Sequence, residues 1–335
     1  MPQQSLARPP ASVLDHLRRY GDHPSGFLAL EPGNEFFTDD SLDGFVAYRR
    51  AGRCRFVFGG PVGDDEPRIL DRFLEDSARA GHRVVAVQVP ARSLHLFAQR
   101  GFVLNQLGST YAVDLSRATL DGPAMRKPRH GVRRGERAGG RVREVGVDLP
   151  WTEQLRGQLD AVDQAWLGRS GKAAKPLRFM VGSRDGELRD HRRLFVVEHA
   201  GRVIGYSQCV PAVGSQPGWL YDLNRLAPGS PDVGDLQVWS VMERLQEEGA
   251  AYFHLGFTPF AELDQPNPAD LPYSRIGALL LRLLTEHGEW LYPTAGAVAW
   301  KRKWQPVTVA PEYIAFPSRL RLGAVARLLR LTNVI

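Results

Sequence analysis

Short apolar runs and amphipathic stretches alternate along this chain in an order that occurs twice. Val13–Tyr20 predicts a short helix after a Pro-rich start. Phe45-Val46-Ala47-Tyr48 and Arg55-Phe56-Val57-Phe58 read as paired strands turned at Ala51-Gly52, with Gly59–Gly63 following as a loop. From Ile69 to Ala80 the apolar residues Leu70, Phe73 and Leu74 recur at helical spacing, and Gly81 closes the helix. Val84–Val89 is continuously apolar, as in a strand covered on both faces. Leu94–Gln99 predicts a helix and Ser109–Leu115 a strand. The second half repeats the order. It has a helix over Leu155–Leu167, strands over Arg193–Glu198 and Val203–Val210 turned at Ala200-Gly201, and a strand over Trp219–Arg225. A helix over Leu236–Glu248, a strand over Tyr252–Gly256, a helix over Ile276–Leu284 and a closing strand over Ala297–Trp304 complete it.

This order resembles the GCN5-related N-acetyltransferase fold, present twice. The expectation is an α/β (α+β) chain of two tandem folds of that type. Residues 1–125 form the N-terminal one, 126–150 a basic linker or helix, 151–316 the C-terminal catalytic one, and 317–335 a basic amphipathic helix. No sequence self-similarity at a fixed period accompanies the repeat.

Charge sharpens the picture. The net charge is +6, and residues 126–143 hold eight Lys or Arg against the single acid Glu136. That one segment carries +7, leaving the rest close to neutral, so a polyanionic partner is favoured over a solvated linker. Arg126, Arg129, Arg133, Arg137 and Arg141 fall mostly at i, i+3 or i+4, although Gly131, Gly135, Gly139 and Gly140 weaken a helix there, which would then order on binding. Pro317-Ser318 can start a last helix with Leu322, Val325 and Leu329 on one face and Arg319, Arg327 and Arg330 beside it. Such a helix either docks on the body or touches anionic headgroups. No apolar run reaches membrane-spanning length, and Met1–Ser5 lacks the pattern of an export signal, so a cytoplasmic protein is expected. Cys54 and Cys209 stand without CxxC or His companions and read as buried thiols.

The candidate chemistry lies in the last third. Asp222 sits in the apolar strand end Trp219–Leu223, where an unpaired carboxylate is costly, and Arg225 is the nearby candidate partner. The pair is either a structural ion pair or a group that orients or deprotonates an attacking hydroxyl beside developing negative charge. Gly256 ends the strand Phe253-His254-Leu255, either as a plain turn or as a place where substrate approaches backbone. His254 reads as a core histidine more readily than as a base. Lys301, Arg302 and Lys303 are expected to alternate along the closing strand, as a solvated edge or as phosphate ligands. No clustered His/Cys pattern is present, so no catalytic metal is expected. The segment Ala227–Asp235 lacks the Gly-rich loop that coenzyme A requires in this fold class, so no cofactor is expected.

Together these motifs resemble the C-terminal synthase domain of phosphatidylglycerol lysyltransferases, the multiple peptide resistance factor family, from about Phe27 to Ile314. The ordered set is Gly59–Gly63, Tyr111–Leu115, Arg126-Lys127 with the basic stretch, Asp222-Leu223-Asn224-Arg225, His254-Leu255-Gly256 with Pro259, Arg275–Leu280, and Lys303-Trp304-Gln305-Pro306 followed by Tyr313. The resemblance implies transfer of an aminoacyl group from aminoacyl-tRNA to a hydroxyl-type acceptor, a lipid or a small metabolite, with peripheral contact at an anionic membrane. It implies Asp222, Arg225, Arg275 and Lys303 as catalytic residues, with Gly256, His254, Tyr221 and Lys301 lining the substrate. Arg126, Lys127, Arg129, Arg133 and Arg134 become the tRNA contacts. Two departures loosen the substrate: Gly60 stands where the family has Asp, and Gly108-Ser109-Thr110 where it tends to have Gly-Glu-Glu. A non-catalytic tRNA- or lipid-binding protein of the same fold, and a coenzyme A-dependent N-acyltransferase, are the alternatives.

Overall fold

The computed structural model describes residues 11–168, 179–184, 188–263, 271–287, 292–319 and 321–333. The first ten residues, read above for an export signal, lie outside them, as does the side chain of Leu322. Among the described residues eleven strands join one continuous sheet, in the order β1-β2-β3-β4-β11-β5-β10-β9-β8-β7-β6. The first half supplies β1 (Glu35–Phe37), β2 (Gly44–Ala51), β3 (Cys54–Gly63), β4 (Arg83–Pro90) and β5 (Phe102–Asp114). The second supplies β6 (Arg141–Glu144), β7 (Arg193–His199), β8 (Arg202–Ala212), β9 (Gly218–Leu226), β10 (Tyr252–Pro259) and β11 (Thr308–Pro317).

Each half is built on one parallel pair, which needs a helical crossover. In the first half α2 (Glu66–Arg79) links β3 to β4, and in the second α6 (Gly234–Glu247) links β9 to β10. The halves meet where β10 pairs antiparallel with β5. This is the doubled α/β arrangement expected from the sequence. Thr308–Pro317, assigned by sequence to the second half, crosses back and lies between β4 and β5 of the first.

Three expectations need correction. Ala297–Trp304 is not a strand: α8 (Thr294–Arg302) occupies it, because Ala-rich Thr-Ala-Gly-Ala-Val-Ala-Trp favours helix, whereas the β-branched and aromatic run after Val307 pairs as β11. Gly59–Gly63 is not a loop but the end of β3, carried past a register shift opposite Val46/Tyr48 by Gly59 (φ +71°) and Gly60 (φ +155°). The last helix, α9 (Leu322–Leu331), starts later than Ser318 and buries Ala324 and Leu328, with Val325 and Leu331 beside them, against the cluster containing Cys54, Val85 and Phe316.

The basic segment is an ordered helix, α4 (Arg126–Arg137). Its glycines let it pack closely rather than weakening it. A Cβ on Gly131 would stand 2.1 Å from Asp235 Oδ2, and one on Gly135 2.8 Å from Leu236 Cβ, both on α6. The remaining helices are α1 (Ala11–Tyr20), α3 (Leu94–Ala98), α5 (Glu153–Gly168) and α7 (Arg275–His287). None of the described helices is long and apolar enough to cross a membrane.

Candidate active site

The parallel pair β9/β10 holds only from Gly218/Tyr252 to Leu220/His254 and then opens. Gly256, at φ +78°, turns β10 away through a register shift against β5, so the glycine is needed for its backbone and not for close approach. Lys301, from the last turn of α8, enters this opening. Its Nζ donates to the carbonyls of Gly256 (2.7 Å) and Phe257 (3.1 Å) and lies 5.3 Å from the Tyr111 ring. Burial pulls its amine down to about 7, with the charge of Glu312 acting in the opposite sense.

Asp222 lies two residues beyond the last paired residue of β9, half-buried. Oδ1 accepts from the Gly182 N–H at 2.9 Å and Oδ2 from Gln208 Nε2 at 3.4 Å. A side chain at 182 would collide with the carboxylate, since a Cβ there would stand 2.0 Å from Oδ2. Behind it, buried Glu31 accepts from Ser183 N (3.0 Å), Ser183 Oγ (2.7 Å) and Arg192 Nη2 (2.7 Å). Burial is the main force lifting the Asp222 carboxyl to about 6; the negative Glu31 adds to it, while the Gly182 N–H, Arg192 and Gln208 oppose it. The result is a carboxylate without an ion pair among the described residues, poised near neutrality at the mouth of a strand opening. That is the state a general base requires.

Arg225 is not its partner. A register shift between Gln208 and Cys209 makes Asp222 the extra residue of a bulge in β9, and Arg225 further along the strand is engaged elsewhere. Arg225 instead donates to Asp163 Oδ1 at 2.6 Å and lies over Trp166, while Tyr206 donates to the same Asp163 oxygen at 2.6 Å. Lys303 also leaves the site: it pairs with Asp235 at the start of α6. Arg275 stands exposed at the first position of α7 and makes no ion pair among the described residues. Tyr221 packs in the core against Phe253 and Trp300. His254 is buried with Nε2 donating to the Gln216 carbonyl at 2.8 Å, a core histidine whose burial lowers its pKa. Of the eight catalytic and substrate candidates, Asp222, Gly256 and Lys301 lie at or next to the point where β9 and β10 part.

A second polar group adjoins Lys301 and was not singled out from sequence. Glu312, on β11, is 2% exposed, and neither carboxylate oxygen has a hydrogen-bond partner among the described residues. His23 Nε2 is 3.6 Å away and donates to the Gln88 carbonyl at 2.9 Å, while its Nδ1 accepts from Ser25 N at 3.0 Å. Burial raises the Glu312 carboxyl to about 8 and drives His23 down to about 4. The only signal in the sequence was a Glu inside the apolar strand Val309–Phe316, and Glu31, His23 and Arg192 lie in segments with no motif at all.

On α4 the five expected contacts divide. Arg126, Lys127 and Arg133 are exposed with Arg137 along one face. Arg129 is turned inward to the carbonyls of Leu120 and Gly122, and Arg134 pairs with Asp232. Among the described residues no three His, Cys, Asp or Glu side chains converge as metal ligands.

Residues 14–316 match the family described as phosphatidylglycerol lysyltransferase, C-terminal. The chain is 23% identical over 304 residues to phosphatidylglycerol lysyltransferase of Staphylococcus xylosus, covering 88% of this chain and 34% of that protein. A Staphylococcus epidermidis relative of the same name is 22% identical over 296 residues. The chain thus spans about a third of the length of these relatives. Among solved structures, the C-terminal domain of a putative lysylphosphatidylglycerol synthetase from Agrobacterium fabrum superposes with TM-score 0.75 at 26% identity, covering 96% of this chain and 94% of that one. L-PGS from Bacillus licheniformis shares the fold at TM-score 0.77 and 20% identity over 99% of both chains. By the extent of the family match, the chain belongs to the family of the C-terminal domain of phosphatidylglycerol lysyltransferase.

Proposed function

We propose that this chain transfers an aminoacyl group from aminoacyl-tRNA to a hydroxyl of a lipid acceptor, phosphatidylglycerol or a relative of it. The observation that carries the reading is Asp222: a carboxylate with no ion pair among the described residues, at the opening of β9 and β10, lifted to about 6. An ester donor is already activated, so the protein's task is to align the acceptor and take its proton. Asp222 accepts the proton of the acceptor hydroxyl as that oxygen attacks the ester carbonyl. The tetrahedral intermediate then collapses, the bond to the ribose oxygen breaks, and that oxygen takes the proton from Asp222. The open face of α4, with Arg126, Lys127, Arg133 and Arg137, supplies charge for the tRNA backbone. The family supports aminoacyl transfer to lipid, and the relatives' names support phosphatidylglycerol as the acceptor class.

The test is label transfer from a pool of aminoacyl-tRNAs to lipid extract, with wild type and Asp222→Asn compared. Wild type should move label into the organic phase, and the variant should not, while both retain tRNA on a filter. If no aminoacyl-tRNA loses label to an acceptor faster than it hydrolyses spontaneously, the reading fails.

A further inference from the structure

Two surface features with no part in the transfer step lie together at one end of the sheet. The first is the outer face of α7. Ile276 is 68% exposed, Leu279 58% and Leu283 43%, with Tyr273 just ahead of the helix at 48%. These four are most of the large exposed apolar side chains among the described residues. Positions 276, 279 and 283 form one stripe at i, i+3 and i+7, while Leu281 and Leu284 on the other side pack into the core. A helix apolar on both sides is not finished by this chain's own described fold.

The second feature is a pocket of about 270 Å³ between α9 and the strand ends, lined by Arg83, Arg319, Arg321 and Arg327 over apolar walls from Cys54, Val85, Phe316 and Ala324. No acid lines it. Among the described residues, the one hydrogen bond from these four guanidinium groups runs from Arg327 Nη1 to the carbonyl of Gly323. Gathering four guanidinium groups in a concavity without a counter-charge is unfavourable until an anion enters, and the guanidinium fork suits phosphate oxygens.

Both features belong to one face. Leu281 and Leu284 of α7 and Ala324 and Leu328 of α9 pack on the same core cluster. The segment leading into α7 is held by Asn105 Nδ2 on the Ser274 carbonyl (2.9 Å) and Leu104 N on the Pro272 carbonyl (2.9 Å). Asn105 pairs with Ile314 and Val103 with Phe316, which lines the pocket, so the start of α7 stands across β5 from the β11 wall of the pocket.

We propose that α7 and α9 form a docking face for an anionic bilayer: the Ile276/Leu279/Leu283 stripe enters the acyl boundary, and the arginine pocket takes the phosphate of a lipid headgroup. Apolar insertion beside a phosphate-binding pocket matches the two chemistries of a lipid surface, whereas a soluble polyanion would leave the stripe uncovered. The purpose of this face rests on the lipid-acceptor reading, but its test needs no aminoacyl donor, so the two can fail separately.

The experiment is co-sedimentation of the full chain with vesicles of phosphatidylcholine alone, or of phosphatidylcholine mixed with phosphatidylglycerol, across a salt series. Wild type should bind the mixed vesicles and lose them as salt rises. The Arg319→Ser/Arg321→Ser double variant should lose about thirty-fold in affinity for the mixed vesicles, from roughly one headgroup interaction per arginine. Leu279→Ser/Leu283→Ser should weaken binding at every salt concentration. All four side chains are exposed, and an unchanged thermal midpoint checks that each variant folds. Equal binding to both vesicle types, or wild-type binding by the arginine variant, overturns the proposal. So does light scattering that shows the stripe closing a dimer, or full competition by inorganic phosphate, which would make the pocket a site for a soluble phosphate.

Discussion

Replacing Asp222 by Asn should raise stability while removing activity. The carboxyl goes from 3.8 in an unfolded chain to about 6 in the folded one. A carboxyl raised on folding binds its proton more tightly in the native state, so ionising it opposes folding. Well below pH 3.8 it is protonated in both states and exerts no such effect; the penalty grows from there up to about pH 6 and is constant above that. At about 1.4 kcal/mol per unit, the full penalty is roughly 3 kcal/mol, an upper bound because Asp222 retains some exposure. Asn keeps an oxygen for the Gly182 N–H and sheds the charge that faces Glu31. Thermal melts of wild type and Asp222→Asn at pH 4 and pH 8 measure the difference. The variant should come close to wild type at pH 4, where only a small part of the penalty is present, and melt several degrees higher at pH 8. In the same preparations transfer should fall by about 10²–10⁴-fold, the range for losing a general base. An equal or lower melting point at pH 8 would refute the account of a desolvated, destabilising carboxylate. A variant that transfers within a few-fold of wild type would remove Asp222 from the chemistry.

Three further outcomes follow from other parts of the molecule. Lys301→Met strands the carbonyls of Gly256 and Phe257, and should destabilise by about 2–4 kcal/mol in denaturant titrations, as two buried acceptors lose their donor. Reversing Arg126, Lys127 and Arg133 to Glu should weaken tRNA binding and flatten its salt dependence by about 0.7–0.9 per lost phosphate contact, whereas Arg129→Ala and Arg134→Ala should change the melting point more than the slope. Gly131→Ala should lower the melting point by forcing α4 off α6, since its Cβ would meet Asp235, the partner of Lys303; an unchanged melt would show that the contact can relax.

Much of this arrangement was legible in the sequence where local pattern and burial agree. Val84–Val89, Trp219–Arg225 and Tyr252–Gly256 are apolar runs bounded by turn residues, and all three are strands. The stretch Ala297–Trp304 misled because its apolar residues suit either period, and only the pairing of Thr308–Pro317 with β4 and β5 decides which segment closes the sheet. Asp222 was legible because a carboxylate in an apolar strand is conspicuous. Its surroundings were not: Glu31, Gly182, Ser183 and Arg192 reach it from turns up to about 190 residues away in sequence, and no spacing rule links them. Lys303 and Arg225 illustrate the converse, cations near the motif in sequence whose side chains the fold directs to Asp235 and Asp163.

The internal repeat bears on why the proposed chemistry falls to one half. In each half the parallel pair ends and the second strand turns aside at a positive-φ residue, Gln88 (φ +52°) in the first and Gly256 (φ +78°) in the second. Each turned carbonyl is taken by a buried nitrogen of the chain itself: His23 on Gln88 and Lys301 on Gly256. Both openings are therefore already occupied at the point where the strands part, and Glu312 lies within electrostatic reach of both nitrogens. What differs is the first strand of each pair. Two residues beyond the last paired position stands Gly60 in the first half and Asp222 in the second. The same backbone device is thus present twice, but only the second copy sets a carboxylate beside it. The glycine at position 60, which in the sequence loosened the choice of substrate, leaves the first half without the corresponding carboxylate, so in the proposed reaction the proton falls to Asp222.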